Sequence, residues 1–361
     1  DRALELVRGS GATAAAARVL AEAARYSMLA GEYAEAVRVG GEALAIAEQL
    51  GLDDVIPQVL NSIGTARANS GDVSGIADLE RAIEKGLAAN NPDAARAYNN
   101  LASIVSQRGE LGRARELWHE GKAVAERLGN ATVGRFIASQ LFWADYSDGH
   151  WDEALAAADD FIAECEAGSS HYNHGQAYAI RARILLSRDD AEEALAAAAR
   201  SVELGREVKD PQALRPALAV KLEVDLELGR TEEARRVAGE LLSSLGKTEG
   251  DEGLMGLALA ADELGITDQV GPLVARVPDT LWTQAIAAVA EGRLEQAATR
   301  LSEIGDRPNE AEVRLRLSAE LATAGRRAEA DEHLQKALAF YRSVGATRYV
   351  RAGEALLAKS A

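Results

Sequence analysis

The chain has 361 residues, of which 47% are hydrophobic, only 4% aromatic and 27% charged, and its formal net charge is -17 at pH 7. Such a composition is too apolar for a disordered chain and suits closely packed helices better than sheets. The negative charge repels a phosphate backbone, so direct binding of nucleic acid is not expected.

The single cysteine, Cys165, cannot form a disulfide within the chain, and its neighbours Phe161 and Ile162 predict a buried thiol. This cysteine usage indicates a reducing compartment, and the expected location is the cytoplasm. The sequence contains neither an apolar run long enough to span a bilayer nor a signal-peptide pattern, so no membrane partner is predicted.

The first residues of the chain, DRALELVR, match the close of a helix such as GEALAIAEQL further along. Residues 1–10 are therefore interpreted as the remnant of a preceding repeat, and the chain as a fragment of a longer protein.

From residue 11 onward, helix-length segments end in glycine at a nearly constant spacing of 38 to 40 residues. These positions are Gly31, Gly71, Gly109, Gly149 and Gly229, with Asp189 in the slot between the last two. A fixed period of roughly 20 to 50 residues is the signature of a solenoid. A small residue follows in the next helix, at Ala36, Ala114, Ala154 and Ala234. The pattern predicts helix-turn-helix pairs whose backbones approach closely.

The same pattern predicts how the chain is divided. Residues 11–248 form a regular array, residues 249–307 form shorter and degenerate repeats, and residues 308–361 form the last repeat and a C-terminal capping helix. The expected fold is an all-α solenoid of about nine pairs that curves into a right-handed superhelix. Each pair is expected to pack on the next one.

The spacing of glycine, aromatic or aliphatic residue and alanine resembles the tetratricopeptide repeat. The best copy is NPDAARAYNNLASIVSQRGELGRA, with Pro92 at the junction, Tyr98 and Leu101 in the first helix, and Gly109 and Ala114 after it. This resemblance implies a scaffold for binding proteins or peptides.

Three segments narrow the resemblance: RAYNNLAS, GDVSGIADLERAIE and AFYRSVGATRYVRAGEALLAKSA. Together with the period, they resemble the C-terminal repeat region of actinobacterial multi-domain signalling ATPases, which are often fused to adenylate or guanylate cyclase domains or to LuxR-type DNA-binding domains. The resemblance implies that the repeats act as a sensor or interaction arm, while domains upstream carry the nucleotide chemistry.

In this family the concave wall is built from fixed positions of the first helices. Counting each glycine slot as position 15, positions 2, 5, 9 and 12 predict a groove formed by Gln58, Asn61, Thr65, Arg96, Asn99, Ser103, Ser139, Trp143, Tyr146, Gln176 and Arg183. Asn and Arg can hydrogen-bond a peptide, and Trp and Tyr are typical of binding hot spots. The alternative is that the polar residues only solvate a helix face and that Trp143 packs between repeats.

Signals for catalysis or cofactors are weak. Gly246, Lys247 and Thr248 lack the first glycine of a phosphate loop, because Leu241 stands in its place. His171 and His174 have a spacing suited to one helix face, but no third metal ligand is evident. We therefore expect no enzyme, no cofactor and no metal.

The sequence favours a noncatalytic domain that binds a peptide, a protein segment or a small effector in its groove. The partner could be another domain of the same parent chain. Two alternatives stay open: a scaffold that self-associates into a homo-oligomer, and a cryptic hydrolase that uses His171 or His174.

Overall fold

The computed structural model describes residues 11–247 and 250–360. These residues form nineteen α-helices and no β-strand, which confirms the all-α solenoid class. The interpreted repeat remnant at 1–10 and Thr248 of the Gly-Lys-Thr segment lie outside the described residues. Within the described ranges, no helix is both long and apolar enough to cross a membrane.

The chain divides into two compact units between Gln140 and Leu141, a point that lies inside one helix. Unit 1 contains α1 (Ala14–Leu29), α2 (Tyr33–Leu50), α3 (Ile56–Asn69), α4 (Ser74–Ala88), α5 (Asp93–Gln107), α6 (Leu111–Leu128) and the start of α7 (Ala131–Asp148).

Unit 2 contains the rest of α7 and all helices that follow. These are α8 (Trp151–Glu166), α9 (His174–Ser187), α10 (Ala191–Val208), α11 (Pro211–Glu227), α12 (Thr231–Lys247), α13 (Leu254–Leu264), α14 (Thr267–Val274), α15 (Leu281–Ala290), α16 (Leu294–Ile304), α17 (Arg307–Thr323), α18 (Arg327–Ser343) and α19 (Thr347–Ser360). In chain order the described helices make nine pairs followed by the single helix α19.

The predicted turn positions all adopt the left-handed backbone conformation. The five glycines of the regular period have φ angles between 69° and 89°, and Asp189 has a φ of 66°. Asp tolerates this conformation better than most side chains, so it can stand in the glycine slot. The regular spacing in the sequence therefore marks the ends of first helices.

Close helix packing follows the predicted alanines, since Ala36, Ala114, Ala154 and Ala234 are all 0% exposed. The pair α3 and α4 approaches even more closely. A Cβ atom added to Gly75 would lie 2.3 Å from the carbonyl oxygen of Gly64, so these two helices touch backbone to backbone.

Helices α13 to α16 are short, with 8 to 11 residues against 14 to 18 in the other described helices. They occupy the segment for which the sequence predicts shorter and irregular repeats. Each of these helices has only two to three turns.

Unit 2 corrects the expectation that each pair packs only on its neighbours, because its last helices also contact its first. Phe340 on α18 packs edge-on against Trp151 at the start of α8, with ring centroids 5.8 Å apart. Arg307 at the start of α17 donates a hydrogen bond to the carbonyl oxygen of Asp148 at 2.7 Å. These aromatic and arginine contacts join residues far apart in sequence, which a repeat period does not encode.

The last helix, α19, also contacts helices that lie earlier in unit 2. Tyr349 of α19 stacks on Tyr341 of α18 with ring centroids 4.9 Å apart. Arg348 of α19 forms an ion pair with Glu227 at the end of α11 at 2.9 Å. The helix therefore covers α18 and also contacts a helix that lies about 120 residues earlier in the chain.

Candidate functional site

In unit 1, polar side chains of the first helices α3 and α5 form a hydrogen-bonded row. Asn100 Nδ2 donates to Asn61 Oδ1 at 3.0 Å and to Thr65 Oγ1 at 3.2 Å. Thr65 Oγ1 donates in turn to the carbonyl oxygen of Asn61 at 2.8 Å. Asn61 and Thr65 are only 1% and 8% exposed, so their polar groups bind one another more than they face a groove.

The other predicted groove residues of unit 1 also have local partners. Gln58 donates to Glu22, Arg96 to Asp93, Ser103 to the carbonyl oxygen of Asn99, and Ser139 to that of Phe136. Asn99 Oδ1 differs, since it is buried and accepts no hydrogen bond from any described residue. This face of unit 1 is therefore polar, nearly neutral and largely satisfied by its own contacts.

In unit 2, two of the predicted residues are half-buried and make no contact with Arg183 that the structure records. Trp143 is half-buried against Trp282, with ring centroids 6.3 Å apart, and Gln176 is half-buried near the start of α9. Tyr146 and Arg183 meet, since the guanidinium carbon of Arg183 lies 5.8 Å from the centre of the Tyr146 ring. The structure thus brings together one aromatic and one cationic residue of the predicted set.

Arg183 is held by an ion pair to the next first helix. Its Nε donates to Glu223 Oε2 at 2.8 Å, and the two side chains remain 18% and 24% exposed. Tyr146 is fixed by Trp151, whose ring stacks on it at 5.1 Å and whose Nε1 donates to the Tyr146 carbonyl oxygen at 2.9 Å.

Helix α17 supplies further charged groups. Asp306, which immediately precedes it, is 4% exposed and accepts a hydrogen bond from Asn309 Nδ2 at 2.6 Å. Glu312 accepts one from Arg316 Nη2 at 2.5 Å, and Arg316 Nη1 donates to the carbonyl oxygen of Leu259 on α13. Asp306 forms no ion pair with a described residue.

We call one set of side chains the interior cluster: Tyr146, Arg183, Glu223, Asp306, Glu312, Tyr341 and Tyr349. They come from α7, α9, α11, the α17 region, α18 and α19, so helices from both ends of unit 2 enclose them. Burial raises the pKa of each tyrosine and of Glu223 and Asp306, and the charge of Glu312 raises each of these pKa values further. The carboxylates and hydroxyls therefore share one electrostatic environment around Glu312.

The acidic members of the interior cluster differ in how well they are compensated. Burial raises the pKa of the Asp306 carboxyl to about 6, although the Asn309 hydrogen bond and the Arg183 charge act in the opposite direction. Burial also raises the pKa of Glu223, and the attraction of Arg183 offsets this only in part. For Arg183, burial lowers the pKa, but the Glu223 carboxylate outweighs it and the pKa stays above its ordinary value.

The tyrosine hydroxyls of the interior cluster have no partner in the described part of the protein. Tyr146 and Tyr341 are only 6% and 2% exposed, and neither they nor Tyr349 donate a hydrogen bond to a described residue. Their hydroxyl oxygens are not among the buried polar atoms that lack a partner, so they keep contact with solvent. These groups are therefore suited to bind water or a ligand.

Sequence reasoning missed most of the interior cluster, although the repeat positions could have predicted two of its residues. Glu223 lies 40 residues after Arg183, at the same repeat position, and Glu312 lies at position 2 of the repeat that ends at Gly325. Extending the groove rule by one repeat and to the last repeat finds both residues. Asp306, Tyr341 and Tyr349 lie outside the first helices, so no such rule selects them.

The other chemical candidates lie elsewhere. His171, His174 and Cys165 line a cleft of about 620 Å³ between α8 and α10. Among the described residues, no three His, Cys, Asp or Glu side chains are grouped so that they could hold a metal ion. Gly246 and Lys247 are exposed at the end of α12.

The paired helices with left-handed turns and small residues at the crossings define a tetratricopeptide-repeat-like α-solenoid. Residues 94–128, which span α5 and α6, match the tetratricopeptide repeat family model. No curated protein matches the sequence significantly.

Solved structures share the fold over most of the chain. A Rap protein complexed with Competence and Sporulation Factor aligns with a TM-score of 0.54 and 13% identity, over 96% of this chain and 99% of that one. The apo form of RapI aligns with a TM-score of 0.50 and 14% identity, over 94% and 99% of the two chains. A signal transduction ATPase with numerous domains and a tetratricopeptide repeat sensor, from Pyrococcus horikoshii, aligns with a TM-score of 0.45 and 16% identity, over 91% of this chain and 51% of its own. Identities this low show a likeness of fold alone.

Proposed function

We propose that the chain is a noncatalytic interaction or sensor domain that binds a peptide or a segment of another protein inside unit 2. The observation that carries this proposal is the interior cluster, where charged groups and hydroxyls from both ends of the unit converge. Arg183, Glu223 and Glu312 are enclosed by helices yet keep access to solvent, so a ligand can reach them. Enclosed sites with a few convergent polar groups are typical of ligand binding.

The similar structures support a binding role. The Rap protein of comparable fold is complexed with Competence and Sporulation Factor, so a solenoid of this kind accommodates a bound partner. Unit 1 offers less to a ligand, because its polar row is occupied by contacts within the row.

We further propose that binding regulates an ATPase or cyclase domain of a larger signalling protein in the cytoplasm. The support is the resemblance of RAYNNLAS and of the C-terminal segment to such proteins, and the single buried Cys165, which fits a reducing compartment. The genomic reading frame upstream of Asp1 tests this part. We expect it to encode a nucleotide-binding domain, and a native start codon at this point would contradict the proposal.

The binding role is tested with a displayed library of random heptapeptides. Panning against the purified chain should select peptides that bind it in solution. The variant Arg183→Gln with Glu223→Gln removes the ion pair but keeps hydrogen-bonding groups, and we expect it to lose at least tenfold in affinity for them. The control Arg206→Gln with Glu240→Gln removes a matched pair of 2.6 Å on the outer helices and should bind normally. Equal binding by all three proteins would contradict the proposed site.

A further inference from the structure

The interior cluster holds three carboxylates but only one cationic side chain, Arg183. Two of these carboxylates are paired with an arginine, Glu223 with Arg183 and Glu312 with Arg316, and Glu227 outside the cluster is paired with Arg348. Asp306 is the third, and within the described residues the only side chain that donates a hydrogen bond to it is the neutral Asn309. A buried carboxylate without a cation is costly, because desolvation penalises its charged form.

The tyrosines give an independent indication that a ligand belongs here. Tyr146 and Tyr341 are more than nine-tenths buried, and their hydroxyls make no hydrogen bond to a described residue. Tyr146 and Tyr341 belong to one cluster of buried side chains that also contains Ala311, so both tyrosines lie beside helix α17, which carries Glu312 and directly follows Asp306. Aromatic rings next to carboxylates can hold a cation by combined ion pairing and cation–π contact.

We propose that the interior cluster recognises a cationic side chain of a bound peptide, an arginine or a lysine, whose charged group pairs with Asp306 beside Tyr146 and Glu312. This inference rests on the proposed function and names the chemistry of its ligand. A guanidinium or ammonium group supplies the missing positive charge, and it donates hydrogen bonds to the carboxylates and to the tyrosine oxygens.

An anionic group fits this site poorly. Arg183, Arg316 and Arg348 are engaged by carboxylates and Arg307 by the carbonyl oxygen of Asp148, so a peptide carboxylate would have to displace one of these contacts. It would also stand close to Asp306, where like charges repel. The arrangement therefore discriminates against acidic ligands.

The test uses the heptapeptides selected by panning and measures their affinity by isothermal titration calorimetry. We expect an arginine or lysine at a common position. Replacing that residue by neutral citrulline or norleucine should weaken binding at least tenfold. Asp306→Asn should abolish this preference, whereas the control Asp160→Asn, at an exposed site on α8, should retain it. Spermidine and agmatine form a separate arm, and binding as tight as that of the peptides would overturn the assignment to a peptide side chain.

Folding of the variants is checked by thermal unfolding. Asp306→Asn removes an uncompensated charge and Tyr341→Phe removes an unpartnered hydroxyl, so neither variant should be less stable than the wild type. Tyr341→Phe should still weaken the selected peptides severalfold. Selected peptides without a basic residue, or an unchanged preference in Asp306→Asn, would overturn this inference while leaving the proposed function intact. A library that yields no binder would instead contradict the proposed function itself.

Discussion

Units 1 and 2 use the same helical pair but place different chemistry on their first helices. In unit 1, α3 and α5 carry amides and hydroxyls that bond to one another, as Asn100 does with Asn61 and Thr65. In unit 2, α9 and α11 carry Arg183 and Glu223, and the closure of the unit adds groups from α17, α18 and α19. The contrast shows that the same helical pair can carry polar groups that bond within a row, as in unit 1, or charged groups that meet residues distant in sequence, as in unit 2.

The closing contacts of unit 2 give the largest expected effect. Trp151→Ala removes a ring that is 3% exposed and contacts both Tyr146 and Phe340, so it should destabilise unit 2 by about 3 to 5 kcal/mol. Hydrogen exchange should show that α18 loses protection together with α8. The matched variant Trp118→Ala removes a ring that is 2% exposed in unit 1 and should leave α18 protected. If α18 keeps its protection in Trp151→Ala, the contacts between the first and last helices of unit 2 do not stabilise that unit as expected.

Asp306 should make the stability of unit 2 depend on pH. Its pKa is about 6 in the folded protein against 3.8 for a free side chain, so the folded state binds the proton more tightly. Its contribution to stability is therefore complete below pH 3.8 and is lost as the pH rises through 6, by about 3 kcal/mol. Burial is the main cause of the raised pKa; Asn309 and Arg183 act against it, and the charge of Glu312 adds to it.

This dependence is measured by urea unfolding of Asp306→Asn and the wild type at pH 7.5 and pH 4. The variant should be the more stable protein at the higher pH, and its advantage should vanish at the lower one. Asp160→Asn, at an exposed site, should show no such difference. If Asp306→Asn raises the free energy of unfolding equally at both pH values, the charge of Asp306 is already compensated in the folded protein.

Backbone contact between α3 and α4 gives a smaller effect that should stay within unit 1. Gly75→Ala places a methyl group against the Gly64 carbonyl oxygen and should lower the free energy of unfolding by about 1 to 3 kcal/mol. Gly41→Ala, where an added Cβ would meet no atom within 4 Å beyond the adjoining backbone of its own helix, should instead raise it by about 0.5 to 1 kcal/mol. Gly75→Ala should leave the hydrogen-exchange protection of α18 unchanged. A loss of that protection would contradict the expectation that the effect stays within unit 1.

The smallest effect tests whether local helix chemistry differs between the units. Thr13 caps α1 and Thr280 caps α15, and each Oγ1 accepts a hydrogen bond from a backbone N–H at 3.2 Å. Thr13→Ala and Thr280→Ala should therefore each cost about 1 kcal/mol, as measured by chemical denaturation. If the two variants lose clearly different amounts of stability, the units already differ in the stability of their single helices.

The fold was predictable because its signals are local. A left-handed turn after Gly31 or Gly109 and a small residue such as Ala114 depend only on nearby backbone geometry. The groove rule placed Tyr146 and Arg183 correctly on first helices, and the structure brings these two together. The rule could not tell that Asn61 is buried in a satisfied row, because that depends on Asn100 one helix pair away.

By itself, the sequence determined the helical pairs, their register and the small residues at their crossings, since each follows from the conformational preference of one or two residues. Only the tertiary structure decided that unit 2 closes and that Asp306, Tyr341 and Tyr349 join Arg183 and Glu223 in one cluster. The physical reason is that packing of side chains distant in sequence, such as Phe340 on Trp151, decides how the pairs curve and which charges come to lie together.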